Sequence, residues 1–164
     1  MTNSDIIDNR IVNITHGVHD KYIEILEKII KEPEEDKIEK VLICFNNTTK
    51  ERMLLKEYIG NHQDFVILDN LSQEDFYRAT KRYKYVLCPE GVGFDTYRIS
   101  EAIYLGSIPI ILSNKIWTKF FEDLPTIIIN NINDLSQGIK NYNLKNYNLE
   151  KMFINYWKNQ IYQI

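Results

Sequence analysis

Cysteine is scarce in this chain, which has two cysteines among its 164 residues. Cys44 and Cys88 each end a predicted core strand, and we interpret both as small buried hydrophobes. This usage is typical of a protein from a reducing compartment, so we expect no disulfide. Internal repeats and low-complexity tails are also absent from the sequence. The chain is therefore expected to form an ordinary globular domain.

Long apolar runs and an excess of positive charge are lacking too. No run reaches the length that a membrane-spanning helix needs, and the first ten residues lack the basic-then-apolar order of a signal peptide. We therefore expect a cytoplasmic protein. The formal net charge of −3 gives no general attraction to nucleic acid, because no basic face compensates for it. Nucleic acid is not expected among the partners.

What the sequence does contain is the composition of a globular protein, with 44% hydrophobic and 26% charged residues. A chain of 164 residues most simply forms one domain. We assign residues 1–40 to an N-terminal segment with a charged loop and one helix, capped by Asp20. Residues 41–164 form the main domain.

Five short apolar runs begin near residues 41, 65, 85, 108 and 126, and segments with helical periodicity separate them. This alternation predicts an α/β fold, a Rossmann-like parallel sheet with helices on both faces. The last helix is predicted from Leu149 to about Tyr162, with an aromatic side that packs on the core.

His16 and His19 stand three residues apart near the N-terminus. Such a pair is a candidate for a metal site or a general base. Since no third ligand lies near them in the sequence, we interpret both as exposed histidines of a linker.

The chemistry of the chain concentrates between Tyr85 and Leu112. A buried strand is predicted to end at Cys88, and a helix is predicted from Thr96 to Leu105 with Asp95 as its N-cap. Gly106 ends this helix, and the next strand follows directly. The turn between strand and helix contains Gly91, Val92 and Gly93.

This turn has the properties of a phosphate site. Unpaired amides and the dipole at a helix N-terminus attract phosphate, and glycines let a ligand approach the backbone. Arg98, one turn into the helix, adds a forked donor for phosphate oxygens, and Glu101 on the same face has the chemistry to accept ribose hydroxyls. The residues predict a nucleoside diphosphate as the ligand.

The loop after the first strand of the main domain belongs to the same edge of the sheet. Thr48-x-x-Glu51 predicts a capping box for a helix that runs to Ile59. Because all βα loops of a parallel sheet lie on one edge, Asn46, Thr48 and Arg52 are candidates for the phosphate side of the ligand. An ordinary cap and a surface arginine explain the loop equally well.

The run from Pro89 to Pro109 resembles the nucleotide-sugar half of the exostosin-like glycosyltransferases, which have the GT-B fold. The pattern is P-E-G-x-G-x-D-x-x-R-x-x-E-A-x-x-x-G-x-I-P, and further similarity extends over roughly residues 41–164, including Trp117 and Tyr156-Trp157. The resemblance implies that Glu101 contacts the ribose, while Arg98 and the amides of the glycine turn face the diphosphate. It also implies a nucleoside-diphosphate sugar, most simply a UDP-sugar, as donor substrate.

The same resemblance implies transfer without a metal ion, and the sequence contains no D-x-D motif of the metal-dependent glycosyltransferases. Leaving-group charge would be stabilised by Arg98, the candidate catalytic residue, and by the helix N-terminus. The acceptor, a glycan, lipid or protein, normally binds to an N-terminal domain that some 40 residues before Val41 cannot supply. We therefore expect a fragment, a chain that needs an acceptor-binding subunit or a homo-oligomer, or an inactive relative.

Two alternatives to an active transferase remain at this point. The first is a non-catalytic module that binds a nucleotide sugar without transferring it. The second is an unrelated flavodoxin-like domain, which would show no preference for a nucleoside diphosphate over flavin mononucleotide.

Overall fold

The structure is a computed structural model, and it describes residues 14–60, 63–91, 93, 95–113, 117–143 and 147–161. Five strands lie within these ranges: β1 (Ile38–Ile43), β2 (Phe65–Ile67), β3 (Tyr83–Leu87), β4 (Ile108–Leu112) and β5 (Ile127–Ile129). The α-helices there are α1 (Ile23–Ile30), α2 (Lys50–Ile59), α3 (Gln73–Arg82), α4 (Tyr97–Tyr104), α5 (Trp117–Phe121), α6 (Leu135–Asn141) and α7 (Ile154–Ile161).

The five strands form one parallel sheet in the order β2-β1-β3-β4-β5. Each strand overlaps one of the five predicted apolar runs, and strands alternate with helices along the chain. The predicted α/β fold with a Rossmann-like parallel sheet is therefore confirmed.

The two faces of the sheet bury two separate hydrophobic layers, because successive strand residues point to opposite faces. Leu42 and Val86 point towards α1, α3 and α4, where Ile29, Tyr77 and Ile99 are fully or almost fully buried. The alternate strand residues pack against α2 and α6 on the opposite face, among them Val41, Ile43, Tyr85, Leu87 and Ile110.

The direction of the chain explains which helix lies on which face. Helix α2 connects β1 to the edge strand β2, and α3 then carries the chain back past β1 to β3. Right-handed crossovers that run in opposite directions place their helices on opposite faces. The loops after β1 and β3 consequently diverge and leave a crevice between them.

Helix α1 packs against α3 and fills part of this core with Leu26 and Ile29. The Lys81 side chain on α3 donates hydrogen bonds to the carbonyl oxygens of Ile29 and Ile30, 2.9 and 3.0 Å away, near the last turn of α1. A cation at this end also suits the helix dipole. Helix α1 is thus fixed to the body of the domain.

Two predicted helix N-caps near the start of the chain are wrong. Asp20 is not a cap, since the side chain of His19 accepts the N–H of Lys21 and a short 3₁₀ turn (Asp20–Tyr22) precedes α1. The cap of α2 is Thr49, which accepts the N–H of Arg52 at 3.2 Å, so the box starting at Thr48 does not form.

The last helix is also shorter than predicted. A 3₁₀ turn covers Leu149–Met152, Phe153 adopts an extended backbone, and only then does α7 begin. Of the aromatic residues in this segment, Trp157 is buried and its ring stacks on Phe120 at a centroid distance of 5.7 Å, whereas Phe153 is exposed. Tyr162 lies outside the described residues.

Gly138 in α6 is a packing site. A Cβ atom at this position would lie 2.8 Å from Cγ2 of Ile129 and 3.2 Å from Cγ2 of Ile127, both on β5. We expect Gly138→Ala to destabilise the domain by about 1–3 kcal/mol through overpacking, although alanine is the better helix former. Urea unfolding measures the change. The exposed neighbour Ser136→Ala serves as control, and a stabilised Gly138→Ala would contradict the packing found here.

Candidate functional site

A cavity of about 460 Å³ lies at the carboxyl ends of β1 and β3, where the strand order reverses. This is the position at which doubly wound sheets bind their ligands, and the volume lies in the usual range for small-molecule sites. Its walls are the loops after β1, β2 and β3, the first two turns of α4, and the segment 16–22.

Most of the candidate residues meet in this cavity. Its lining includes Asn46, Arg52, Gly91, Gly93, Asp95, Arg98 and Glu101. Thr48 does not line it, and its hydroxyl instead accepts a hydrogen bond from Nη1 of Arg52 at 3.2 Å. Val92 lies outside the described residues. The expectation that the loops after β1 and β3 share one edge thus agrees with the geometry.

Arg52 is buried, with 7% of its surface exposed, and it holds the loop after β3 in place. Its Nε donates to the carbonyl oxygen of Glu90 at 2.8 Å, and its Nη2 donates to that of Pro89 at 3.1 Å. The planar guanidinium of an arginine can donate to two adjacent carbonyl groups at once, which a lysine ammonium does less well. The interpretation of Arg52 as a surface arginine is therefore wrong.

The glycine turn depends on this contact. A Cβ atom at Gly91 would lie 3.2 Å from Nη2 of Arg52, so the small residue lets the guanidinium approach the backbone. The N–H of Gly91 donates to the carbonyl oxygen of Gly93 at 3.0 Å, which closes the turn. In this conformation the Gly91 amide is thus paired within the turn.

Arg98 projects from the first turn of α4 into the cavity, where its guanidinium carbon lies 5.1 Å from the centroid of the Phe76 ring. Its Nε is buried and has no hydrogen-bond partner. Among the described residues, Arg98 also forms no ion pair. A buried donor without a partner is costly, so the position favours a ligand that accepts hydrogen bonds.

The two guanidinium groups influence each other. Burial lowers the pKa of Arg52, and the positive charge of Arg98 lowers it further. Two neighbouring cations in one cavity create a positive potential that an anion relieves. This electrostatic arrangement supports a site for an anionic group between the glycine turn and α4.

Glu101 is buried beside Arg98 on the same side of α4. Its Oε1 accepts a hydrogen bond of 2.7 Å from the hydroxyl of Tyr77 on α3. Burial raises the pKa of Glu101, whereas the Tyr77 hydrogen bond and the charges of Arg98 and His19 act in the opposite direction. Tyr77 thus fixes the orientation of a carboxyl group that faces the cavity.

Asp95 is not the N-cap of α4. Thr96 occupies the N-cap position, and its side chain forms no capping hydrogen bond. The Asp95 side chain is 1% exposed, and its Oδ2 accepts the backbone N–H of His16 at 2.5 Å. Its Oδ1 is buried and has no hydrogen-bond partner within the described ranges, and burial raises the pKa of Asp95. The carboxyl group therefore connects α4 to the segment before α1.

His16, His19 and Tyr97 are site residues that sequence reasoning missed. Both histidine rings contact the Tyr97 ring, at centroid distances of 5.6 and 5.4 Å, and all three side chains line the cavity. Both histidines are exposed, as predicted, but they do not belong to a free linker, because their rings contact Tyr97 and line the cavity. The spacing of three residues gave a signal, but no local pattern predicts that this segment returns to α4.

Within the described part of the chain, no group of histidine, cysteine, aspartate and glutamate side chains has the arrangement needed to hold a metal ion. The helices there include none that is long and apolar enough to cross a membrane. Cys44 and Cys88 are both free thiols in the core, as expected from the sequence.

The parallel sheet and the cavity at its reversal point define a Rossmann-like α/β domain. Residues 21–164 match the family model described as the RXYLT1 C-terminal domain. The chain belongs to this family, which is xylosyltransferase-related and exostosin-like. It is thus a glycosyltransferase-related domain, and the exostosin-like family relation predicted from the run Pro89 to Pro109 is confirmed.

The two hydrogen bonds from the Arg52 guanidinium to the loop predict that the domain is less stable without them. Arg52→Lys leaves at least one of the two loop carbonyl groups without its donor, and we expect the free energy of unfolding to fall by about 1–3 kcal/mol. Urea denaturation measures the effect. Arg82→Lys is the control, because Arg82 is exposed and its ion pair with Glu35 is long, with 3.7 Å between Nε and Oε2. Equal, negligible losses in both variants would contradict a structural role for Arg52.

The raised pKa of Glu101 predicts a pH-dependent stability difference. A carboxyl group whose pKa is higher in the folded state stabilises fully below its ordinary pKa and loses that stability as pH rises through the folded value. Glu101→Gln keeps an acceptor for Tyr77 but does not ionise. We expect this variant to melt above the wild type at neutral pH, with the gain vanishing below pH ~4. Melting curves from pH 3 to 8 test this, and a pH-independent difference would refute it.

Proposed function

We propose that this chain binds a nucleoside-diphosphate sugar and forms the donor half of a glycosyltransferase of the GT-B fold. The observation that carries the proposal is the buried Nε of Arg98, which has no hydrogen-bond partner among the described residues and lies beside Arg52 in the cavity at the reversal point of the sheet. The membership of the chain in a xylosyltransferase-related, exostosin-like family supports a sugar nucleotide over other anions.

The proposed pose follows from the order of charges along α4. The diphosphate lies against the glycine turn and Arg98, where the helix dipole also favours negative charge. The ribose lies one turn later at Glu101, whose free acceptor capacity suits the two ribose hydroxyls. Asn46 and Arg52 complete the phosphate side of the cavity.

In the proposed reaction, the bond between the anomeric carbon and the β-phosphate oxygen breaks. The electron pair stays on the phosphate oxygen, so negative charge accumulates on the leaving diphosphate, and Arg98 stabilises that charge in the transition state. An acceptor hydroxyl forms the new bond to the anomeric carbon, and its proton passes to a base of the acceptor-binding domain or to the leaving diphosphate. The acceptor is a glycan, lipid or protein bound with the help of a further domain or subunit.

The family relation makes a UDP-sugar the leading candidate donor. Calorimetric titration with UDP, GDP and UMP tests the proposal directly. We expect UDP to bind, GDP to bind more weakly, and UMP to lose the contribution of the second phosphate. Equal affinity for flavin mononucleotide and UDP would contradict a donor site.

Arg98→Ala should weaken UDP binding by about 1.5 to 3 kcal/mol, the scale for a lost charged hydrogen bond. This corresponds to roughly a 10-fold to 150-fold increase in Kd. Isothermal titration calorimetry gives the value, and circular dichroism checks that the fold is intact.

Arg82→Ala is the matched control, because it removes an exposed arginine from the far end of α3. It should leave the affinity within a factor of about two. An unchanged Kd in Arg98→Ala would remove Arg98 from the site.

A further inference from the structure

Four aromatic rings form a continuous row along the wall of the cavity. The ring of Tyr97 lies between those of His16 and His19, at centroid distances of 5.6 and 5.4 Å. His19 in turn contacts Tyr22 at 5.6 Å. All four side chains line the cavity, and Tyr97 remains 41% exposed. The row thus presents ring surface to the cavity.

Three of the four rings belong to residues 14–22, which we call the N-terminal strap. The strap is fixed to α4 by the hydrogen bond from the His16 N–H to Asp95 Oδ2 and by a contact of 3.4 Å between the hydroxyls of Thr15 and Ser100. Val18 and Tyr22 also pack against the core. The rings are therefore held in defined positions at the cavity.

The end of the row formed by His19 and Tyr22 lies beside the proposed ribose position. His19 is close enough to Glu101 to interact electrostatically with its carboxyl group. The Nδ1 atom of His19 accepts the N–H of Lys21 at 3.2 Å, which orients the ring.

We propose that the rings of His19 and Tyr22 stack against the planar base of the nucleotide, so that the N-terminal strap completes the donor site. This inference rests on the proposed function, because it takes the ribose to lie at Glu101. A nucleobase is bonded directly to the ribose, and this end of the row interacts with Glu101 through His19, with Tyr22 beside it. Stacking on aromatic side chains is a common way to bind a base.

Packing of the strap onto α4 is the plain alternative explanation for the same rings. It predicts that loss of a ring lowers stability and affects all ligands equally. Base stacking predicts instead that ligands with a base are affected and that pyrophosphate is not. A comparison of these two ligands therefore separates the explanations.

The variants are chosen to remove a ring and little else. His19→Asn keeps a side-chain oxygen that can accept the N–H of Lys21, so the turn before α1 remains capped. Tyr22→Leu keeps an apolar side chain against the core. Tyr22→Phe restores the ring, and Tyr58→Leu removes an exposed tyrosine on α2 outside this cavity.

Calorimetric titration of the full chain with UDP and with pyrophosphate tests the inference. Loss of one stacked ring should raise the Kd for UDP about 5-fold to 150-fold and leave that for pyrophosphate within about twofold. Tyr22→Phe should recover the affinity lost in Tyr22→Leu, and Tyr58→Leu should match the wild type. Melting temperatures show whether each variant is folded.

Two outcomes would overturn the inference. Equal losses for UDP and pyrophosphate in both ring variants would show that the strap acts only by packing. An unchanged Kd for UDP in folded His19→Asn and Tyr22→Leu would show that the base lies elsewhere. If the wild type binds neither UDP nor pyrophosphate, the proposed donor site itself is wrong.

Discussion

The site depends on one constraint, the reversal of chain direction between β1 and β3. Parallel strands end at a common edge, and the loops after these two strands must diverge because α2 and α3 lie on opposite faces. Arg52 fixes the loop after β3 at the wall of the resulting crevice, because it donates to two consecutive carbonyl groups of that loop.

The crevice buries ionisable groups in an environment that is unfavourable for them when no ligand is bound. Arg98 has a buried Nε without a partner, Asp95 has a buried Oδ1 without one, and burial raises the pKa of both Asp95 and Glu101. Groups with such environments cluster at functional sites, since a ligand supplies the missing interactions. The same groups lower the stability of the unliganded chain. Such a loss of stability is expected where buried polar groups are arranged to bind a ligand.

Much of this arrangement could be predicted from the sequence. The strands follow from short apolar runs, and α4 follows from the glycine turn before it and from Gly106, which has the positive φ of 71° at its end. The cavity position follows from the rule that βα loops share one edge. Arg98 and Glu101 face it together because they are three residues apart on one helix.

The rest required long-range information. Threonine and aspartate are both good N-caps, so the local sequence does not decide between neighbouring candidates. Packing places Thr49 and Thr96 at the N-cap positions in place of Thr48 and Asp95. The bond from Tyr77 to Glu101 joins two helices, and the bond from His16 to Asp95 spans 79 positions. No local periodicity encodes such contacts, which is why the strap escaped sequence reasoning.

The central claim is that the crevice beside Arg98 holds the diphosphate of a sugar nucleotide. A crystal structure of the chain grown with UDP tests it most directly. We expect both phosphates between the turn at Gly91–Gly93 and the Arg98 guanidinium, with the ribose hydroxyls at Glu101. A nucleotide bound at any other surface, with this crevice empty or filled by protein side chains, would contradict the account.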